Sequence, residues 1–157
     1  MRNAIFMLML LTFSSPGYCN KLYANLTFDK AGSIGLGADF EFDSTSTVGF
    51  GGYSRILFEE HDNDEGNQDG IIALGGFMRA HFVQENIDFF VSPGFGLTQI
   101  DFGANEETVM GPAFITGFNV KVSNFFVGFN VTQLYGWFGD VHGLFEQPFM
   151  LSFVLPM

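Results

Sequence analysis

From residue 21 onward, apolar and polar side chains alternate along the chain with a period of two residues. In the first segment, residues 21–29, Leu22 and Leu26 share one face, while polar and charged residues share the other. A period of two is typical of a β-strand between two different environments and does not fit the 3.6-residue period of a helix. The alternation recurs in seven further segments, which are residues 33–43, 46–58, 70–83, 87–101, 109–121, 124–136 and 146–156. The sequence therefore predicts an all-β protein with eight strands.

The lengths of the strands and of their connections narrow the fold further. Most predicted strands have on the order of ten residues, which is what a strand needs to cross a bilayer at a tilt. The second, fourth and sixth connections are short turns, whereas the third, fifth and seventh are longer loops. This asymmetry is typical of membrane barrels, and an even strand count places both ends of the barrel sequence on the side of the short turns.

The composition favours a protein with a large apolar surface. Hydrophobic residues make up 47% of the 157 residues and charged residues only 15%, whereas soluble domains average about 25% charged residues. After residue 14, no segment reaches the roughly 18 consecutive apolar residues of a transmembrane helix. A formal net charge of −11 argues against binding to nucleic acid. The single cysteine and the absence of zinc-ligand spacing predict no metal site, and no cofactor is expected.

Residues 1–19 have the three parts of a secretory signal peptide. A positive residue, Arg2, precedes an apolar run that is too short to span a bilayer, and small residues and a proline follow it. This pattern predicts cleavage before Asn20 and a barrel domain of residues 20–157. Lipidation of Cys19 is the alternative, which the bulky residue before the cysteine disfavours.

The last predicted strand has an alternating apolar face that ends at the last residue, Met157. This face resembles the C-terminal signal that the barrel-insertion machinery reads, although that signal usually ends in Phe. Residues 20–157 as a whole resemble the small eight-stranded outer-membrane barrels of the OmpA/OmpX type. The resemblance implies an antiparallel, up-and-down transmembrane barrel in the cell envelope of a Gram-negative bacterium. Such a barrel contacts outer-membrane lipid and lipopolysaccharide, and we expect it to be a monomer.

If the large apolar face points to lipid, the other face of each strand points into the lumen. That face consists of Gly, Ser, Thr and a few charged residues, among them Arg55. Strand direction places six ionisable residues in the periplasmic half of the lumen: Asp39, Glu41, Arg79, His81, Asp88 and Lys121. Opposite charges at similar depth predict a structural ionic network that plugs the lumen. The interior of an eight-stranded barrel is only about wide enough for side chains, so a wide pore is not expected.

Two prolines disturb the pattern. Pro93 and Pro112 fall inside the fifth and sixth predicted strands, where proline removes a hydrogen bond of the ladder. We expect a β-bulge at each site, and a bulge would reverse the facing of the residues beyond it.

The leading functional hypothesis is a non-enzymatic outer-membrane barrel that supports the envelope or presents surface loops. A lipid A-modifying enzyme is one alternative, and it requires a histidine beside a serine or carboxylate near the outer rim. The three candidates His61, His81 and His142 do not occur in the His-x-Ser arrangement of the deacylases. A soluble, exported, lipocalin-like barrel is another alternative, and it requires the Phe and Leu faces to point inward.

One acidic segment, residues 59–69, carries six carboxylates. Its spacing does not match a calcium-binding loop of the EF-hand type. We interpret it as a solvated surface loop, with divalent-cation bridging to lipopolysaccharide phosphates as the alternative.

Overall fold

The computed structural model describes residues 21–28, 34–43, 47–60, 68–101, 106–139 and 142–157. The strands in these ranges are β1 (Lys21–Phe28), β2 (Ile34–Asp43), β3 (Val48–Glu60), β4 (Gln68–Gln84), β5 (Ile87–Asp101), β6 (Glu106–Val122), β7 (Phe125–Gly136), β8 (Gly143–Glu146) and β9 (Phe149–Pro156). None of the residues in these ranges is helical, so no membrane-spanning helix occurs among them. The predicted signal peptide, residues 1–19, lies outside the described residues.

The strands form one antiparallel wall that closes on itself. Strands β1 to β7 pair in sequence order, β7 also pairs with β8 and β9, and β9 pairs with β1. Because β8 and β9 follow each other along β7 in the same direction, together they are the eighth strand of the barrel, interrupted at Gln147 and Pro148. The predicted fold, a closed eight-stranded up-and-down barrel, is confirmed.

The two ends of the barrel differ. Lys21 pairs with Pro156, and this end, the terminal end, also carries the two-residue turns β4–β5 and β6–β7. The first residues of these turns, Glu85 and Ser123, have positive φ values of 54° and 59°. Such values at the first turn position suit type II′ hairpins, which favour Gly there. The connections β3–β4, β5–β6 and β7–β8 lie at the opposite end.

Burial alternates along the strands and fixes which face is inside. Large apolar side chains such as Leu36, Phe50 and Phe118 are exposed on the outer face. Polar and charged side chains such as Asn25 and Arg79 are buried on the inner face. Among the side chains that the structure describes on β1–β7 and β9, no Asp, Glu, Lys or Arg lies on the outward face. The facing predicted from the alternation is therefore confirmed.

The inward face is more apolar than the sequence pattern predicts. One buried apolar cluster adjoins the charged side chains of the lumen: Tyr53, Ala73, Phe77, Phe90, Ala113, Ile115 and Leu134. A second cluster lies beyond it, toward the opposite end: Leu57, Ile71, Ile100 and Val109. The expectation of Gly, Ser, Thr and charges is thus wrong for this half of the lumen. An interior that side chains fill completely favours apolar packing wherever no charged partner is within reach.

The two prolines behave differently from each other. At Pro93, β5 pairs with β6 without a register shift, and the β4–β5 ladder skips Met78 and Arg79 and resumes in the same register. The predicted bulge at this site is wrong, because losing one N–H on the β4 side interrupts the ladder without requiring an extra residue. At Pro112, the β6–β7 ladder stops and resumes at the bridge between Met110 and Phe138. The extra residue there lies just after β7, where the Trp137 and Phe138 amides both donate to the Met110 carbonyl, so β6 keeps its facing on both sides of the proline.

Candidate functional site: an ionic network inside the barrel

The network begins with pairs of residues spaced two apart, which place both side chains on one face of a strand. Asp39 and Glu41 point inward from β2, and Arg79 and His81 point inward from β4. Strand β3 lies between them and carries glycine at the inward positions 49 and 51. A Cβ atom at Gly49 would overlap the Glu41 carboxylate. The glycines of β3 therefore leave the space in which acids of β2 reach bases of β4.

Arg79 is the centre of the network and is fully buried. Its Nη1 donates to Glu41 Oε2 at 3.1 Å and its Nη2 donates to Asp39 Oδ2 at 2.9 Å. Its Nε donates to the Ser92 hydroxyl at 2.7 Å. The guanidinium carbon also lies 4.3 to 4.4 Å from the centroids of three aromatic rings, those of Tyr23, Phe77 and Phe90. Two carboxylates, one hydroxyl and three ring faces thus hold a single cation.

Asp39 joins Arg79 to a second buried arginine, Arg55 on β3. Its Oδ1 accepts a hydrogen bond from Arg55 Nη1 and another from Asn25 Nδ2 at 3.2 Å. Arg55 Nε and Nη2 both lie 3.3 Å from the Thr132 hydroxyl, on the far wall of the barrel. The Asp39 carboxylate therefore sits between two guanidinium groups, and Arg55 ties this centre to β7.

Glu41 extends the network toward the terminal end. Its Oε1 lies 2.5 Å from His81 Nε2, and His81 Nδ1 lies 2.9 Å from Asp88 Oδ2. Only the doubly protonated imidazole can donate from both ring nitrogens, so this geometry suits a histidine cation between two carboxylates. The Tyr23 hydroxyl also donates to Glu41 at 2.8 Å, and Lys21 Nζ lies 3.6 Å from the same carboxylate.

The structure brings five of the six predicted residues together: Asp39, Glu41, Arg79, His81 and Asp88. The sequence-based prediction that Lys121 belongs to the ionic network is wrong. Its side chain is exposed one residue from the end of β6, and it makes no ion pair of this network in the part of the chain described. The network predicted from the sequence did not include Lys21, Tyr23 or Arg55, although Arg55 was expected on the inward face. The register of β1 on β2 would have found the first two, because Tyr23 pairs with Asp39 and Lys21 pairs with Glu41.

The buried charges of the network balance when the His81 ring is a cation, and the partly exposed Lys21 adds a positive charge beside Glu41. Three carboxylates, those of Asp39, Glu41 and Asp88, face two guanidinium groups and the His81 ring. A compensated set of this kind is tolerated in a buried interior, whereas removing one partner leaves an unpaired charge. The arrangement therefore fills and braces the lumen.

The surroundings of the histidines are relevant to the alternative of a lipid A-modifying enzyme. His81 contacts two carboxylates, and the nearby Ser92 hydroxyl accepts a hydrogen bond from Arg79. His142 is exposed at the opposite end, and His61 lies outside the described residues. No His, Cys, Asp and Glu side chains among those described are grouped in a way that could hold a metal ion.

Comparisons with known proteins concern the fold. No family model and no curated protein matches the sequence. Neisserial surface protein A is 11% identical with a TM-score of 0.62, over 87% of this chain and 94% of that one. The N-terminal β-barrel domain of Pseudomonas aeruginosa OprF is 14% identical with a TM-score of 0.55, over 88% and 96%. The outer membrane enzyme PagL is 16% identical with a TM-score of 0.54, over 87% and 99%. These similarities show that the chain has the fold of the small eight-stranded outer-membrane β-barrels.

Proposed function

We propose that this protein is a non-enzymatic integral barrel of the bacterial outer membrane, which supports the envelope or presents its long connections at the surface. The observation that carries the proposal is the distribution of charge between the two faces. The outward side chains described on β1–β7 and β9 include no ionised group, whereas Arg55 and Arg79 are fully buried inside. A lipid environment favours this arrangement, because outward charges are costly there and inward charges can pair.

The height of the apolar surface supports membrane insertion. The outward residues of β5 are apolar at every second position from Ile87 to Leu97. The ten steps along the chain from Ile87 to Leu97, at about 3.3 Å each and tilted by about 40°, span about 25 Å. This is about the height of the apolar band of outer-membrane barrels. A soluble, lipocalin-like barrel would need the reverse facing, with the Phe and Leu side chains inside.

The contents of the lumen favour a scaffold over a channel. The ionic network occupies the half near the terminal end, and apolar side chains such as Leu57 and Ile71 fill the other half. We expect liposomes that contain the purified protein to show no steady large conductance. An open, porin-like current would contradict this part of the proposal.

The proposal includes export by the predicted signal peptide and contact with outer-membrane lipid and lipopolysaccharide. It also includes recognition of the last strand by the barrel-insertion machinery. That strand, β9, pairs with β1 along all of its eight residues and so closes the barrel. Its outward side chains Leu151, Phe153 and Leu155 are exposed and apolar.

A lipid A-modifying enzyme is the second candidate, and the fold shared with the enzyme PagL is the observation that favours it. A shared fold does not determine activity, which depends on the site. The buried position of His81 between two carboxylates argues against a catalytic role for it. Thin-layer analysis of lipid A after expression separates the two candidates, since the enzyme would change the lipid A pattern.

The main experiment combines membrane fractionation with gel migration. We expect the protein in the outer-membrane fraction, extracted only by detergent and migrating differently before and after boiling. Protein that stays monodisperse without detergent would refute membrane insertion. The variant Phe114→Arg adds a charge to an exposed outward side chain and should insert less well than its matched control, Phe114→Leu, which adds none.

A further inference from the structure

Two amide side chains interrupt the apolar outer surface of the barrel at one place. Gln133 lies on the outward face of β7 and is half-buried, and Gln147 lies in the break between β8 and β9 and is exposed. Other polar side chains on this face include Gln99 on β5 and Ser54 on β3, whose hydroxyl donates to the Ala38 carbonyl at 3.3 Å. Gln133 and Gln147 differ from these in lying next to each other on neighbouring strands, and we call them the amide pair.

The strand register places these two residues side by side. Val131 pairs with Phe149 on one side of them and Leu134 pairs with Glu146 on the other. Between these pairs, the Thr132 amide donates to the Pro148 carbonyl at 3.1 Å. Gln133 is thus directly opposite Gln147, and side chains opposite each other on one face of a sheet are close enough to interact.

The amide pair lies within the apolar surface rather than beyond it. The next outward residues of the chain toward the opposite end are Tyr135 and the exposed Trp137, which packs edge-on against Phe95 at 6.4 Å. Aromatic residues of this kind flank the apolar band in outer-membrane barrels. Gln133 is one outward step inside them, and therefore on the hydrocarbon side.

An amide at this depth needs partners that lipid chains do not offer. Each glutamine amide has two N–H donors and an acceptor oxygen, and neither side chain has a hydrogen-bond partner among the residues described. Burying such a group in an apolar environment without a partner is unfavourable. Polar side chains on membrane-facing surfaces act instead as points of association between protein segments.

The partner that best complements an amide pair is another amide pair. A two-fold axis through this surface would bring Gln133 of one copy next to Gln147 of a second copy, and the reverse, so that every donor meets an acceptor. The surface beside it is apolar and preformed, because the rings of Phe129 and Phe149 stack at 6.0 Å with an interplanar angle of 30°.

We propose that the amide pair is the centre of a two-fold interface through which two copies of this barrel associate in the membrane. The inference rests on the proposed membrane insertion, and it replaces the monomer expected from the sequence. It requires no rearrangement of the wall, because both side chains already lie on the outer face.

Sedimentation equilibrium in detergent micelles tests the interface. We expect the native protein to dimerise reversibly, and the double variant Gln133→Leu with Gln147→Leu to dimerise at least about tenfold more weakly. Ser54→Ala is the matched control, because it removes a polar group from the same outer face on β3, which is four strands away from β7 in either direction around the barrel. Native protein that stays monomeric at all protein-to-detergent ratios, or a double variant that dimerises as strongly, would overturn the inference.

Cysteine cross-linking gives the geometry a second, independent test. A mixture of Gln133→Cys and Gln147→Cys proteins should form a disulfide-linked pair on mild oxidation, whereas Ser54→Cys on the opposite wall with Gln147→Cys should not. Heat-modifiable migration is measured on every variant. If the native protein is monomeric but migrates differently before and after boiling, only the dimer is refuted. If the native protein migrates the same before and after boiling, the membrane barrel itself is refuted.

Discussion

Replacing the central cation of the lumen gives the sharpest test of how this barrel is stabilised. In Arg79→Met, a side chain of similar length keeps much of the packing against the aromatic rings. The change removes the hydrogen bonds to Asp39, Glu41 and Ser92. The two carboxylates then face each other in a buried interior with less compensation. Removing one partner of a buried ion pair costs about 3–5 kcal/mol, so we expect a loss of that size in the free energy of unfolding.

The measurement is denaturant-induced unfolding in lipid vesicles, followed by gel migration and by the fluorescence of Trp137, the single tryptophan. Lys121→Met is the matched control, because it makes the same chemical change at an exposed position outside the network. We expect the control to change stability by less than about 0.5 kcal/mol.

A compensating variant separates charge from packing. Adding Glu41→Gln to Arg79→Met removes one carboxylate for the cation that is lost, and it leaves Asp39 paired with Arg55 and His81 paired with Asp88. The double variant should therefore recover a large part of the lost stability. If Arg79→Met is as stable as the native protein, or if the double variant is less stable than Arg79→Met alone, the ionic network does not stabilise the barrel as argued.

Three further predictions concern the wall. Ser123→Gly should stabilise the barrel by up to about 1 kcal/mol, because φ is 59° at this turn position; equal or lower stability in equilibrium unfolding would contradict this. Gly49→Ala should cost about 1–3 kcal/mol, because its Cβ overlaps the Glu41 carboxylate, whereas Gly76→Ala, where the nearest atom is 3.6 Å away, should cost less. Equal losses in the two alanine variants would refute the spacing argument. Phe114→Arg should make insertion less favourable by about 2–4 kcal/mol than Phe114→Leu, seen as a lower folding yield into vesicles, and equal yields would contradict a lipid-facing position.

A structural feature can be predicted from the sequence when it depends on residues that are close together in the chain. The positions of the β-bulges cannot be predicted in this way, because they depend on contacts between strands. Pro93 and Pro112 both lie within strands, yet only the second is accompanied by an extra residue, and that residue lies in the neighbouring segment just after β7. Whether a missing N–H needs an insertion depends on which neighbour would have accepted it, and this is a property of strand pairing. The split of the last strand at Pro148 has the same origin.

The lumen shows the same dependence on pairing. Facing alone placed Asp39, Glu41, Arg79, His81 and Asp88 inside, because alternation of side chains is a local property of a strand. It could not exclude Lys121, because the exposure of its side chain depends on how far β6 extends beyond its neighbours at the terminal end. It also did not connect Arg55 to Asp39, since that contact depends on the gap left by Gly37, where a Cβ would lie 2.9 Å from Arg55 Cδ.

The sequence by itself determined the all-β fold class, the number of strands in the barrel and the face that each strand turns outward. These follow from a two-residue period and from the lengths of the connections, and both can be read without knowing which strands are neighbours. The tertiary structure alone decided which charges meet, where the ladder breaks and that apolar side chains fill half of the lumen. The physical reason is that these features depend on register and on the space between non-adjacent strands, which exist only once the barrel has closed.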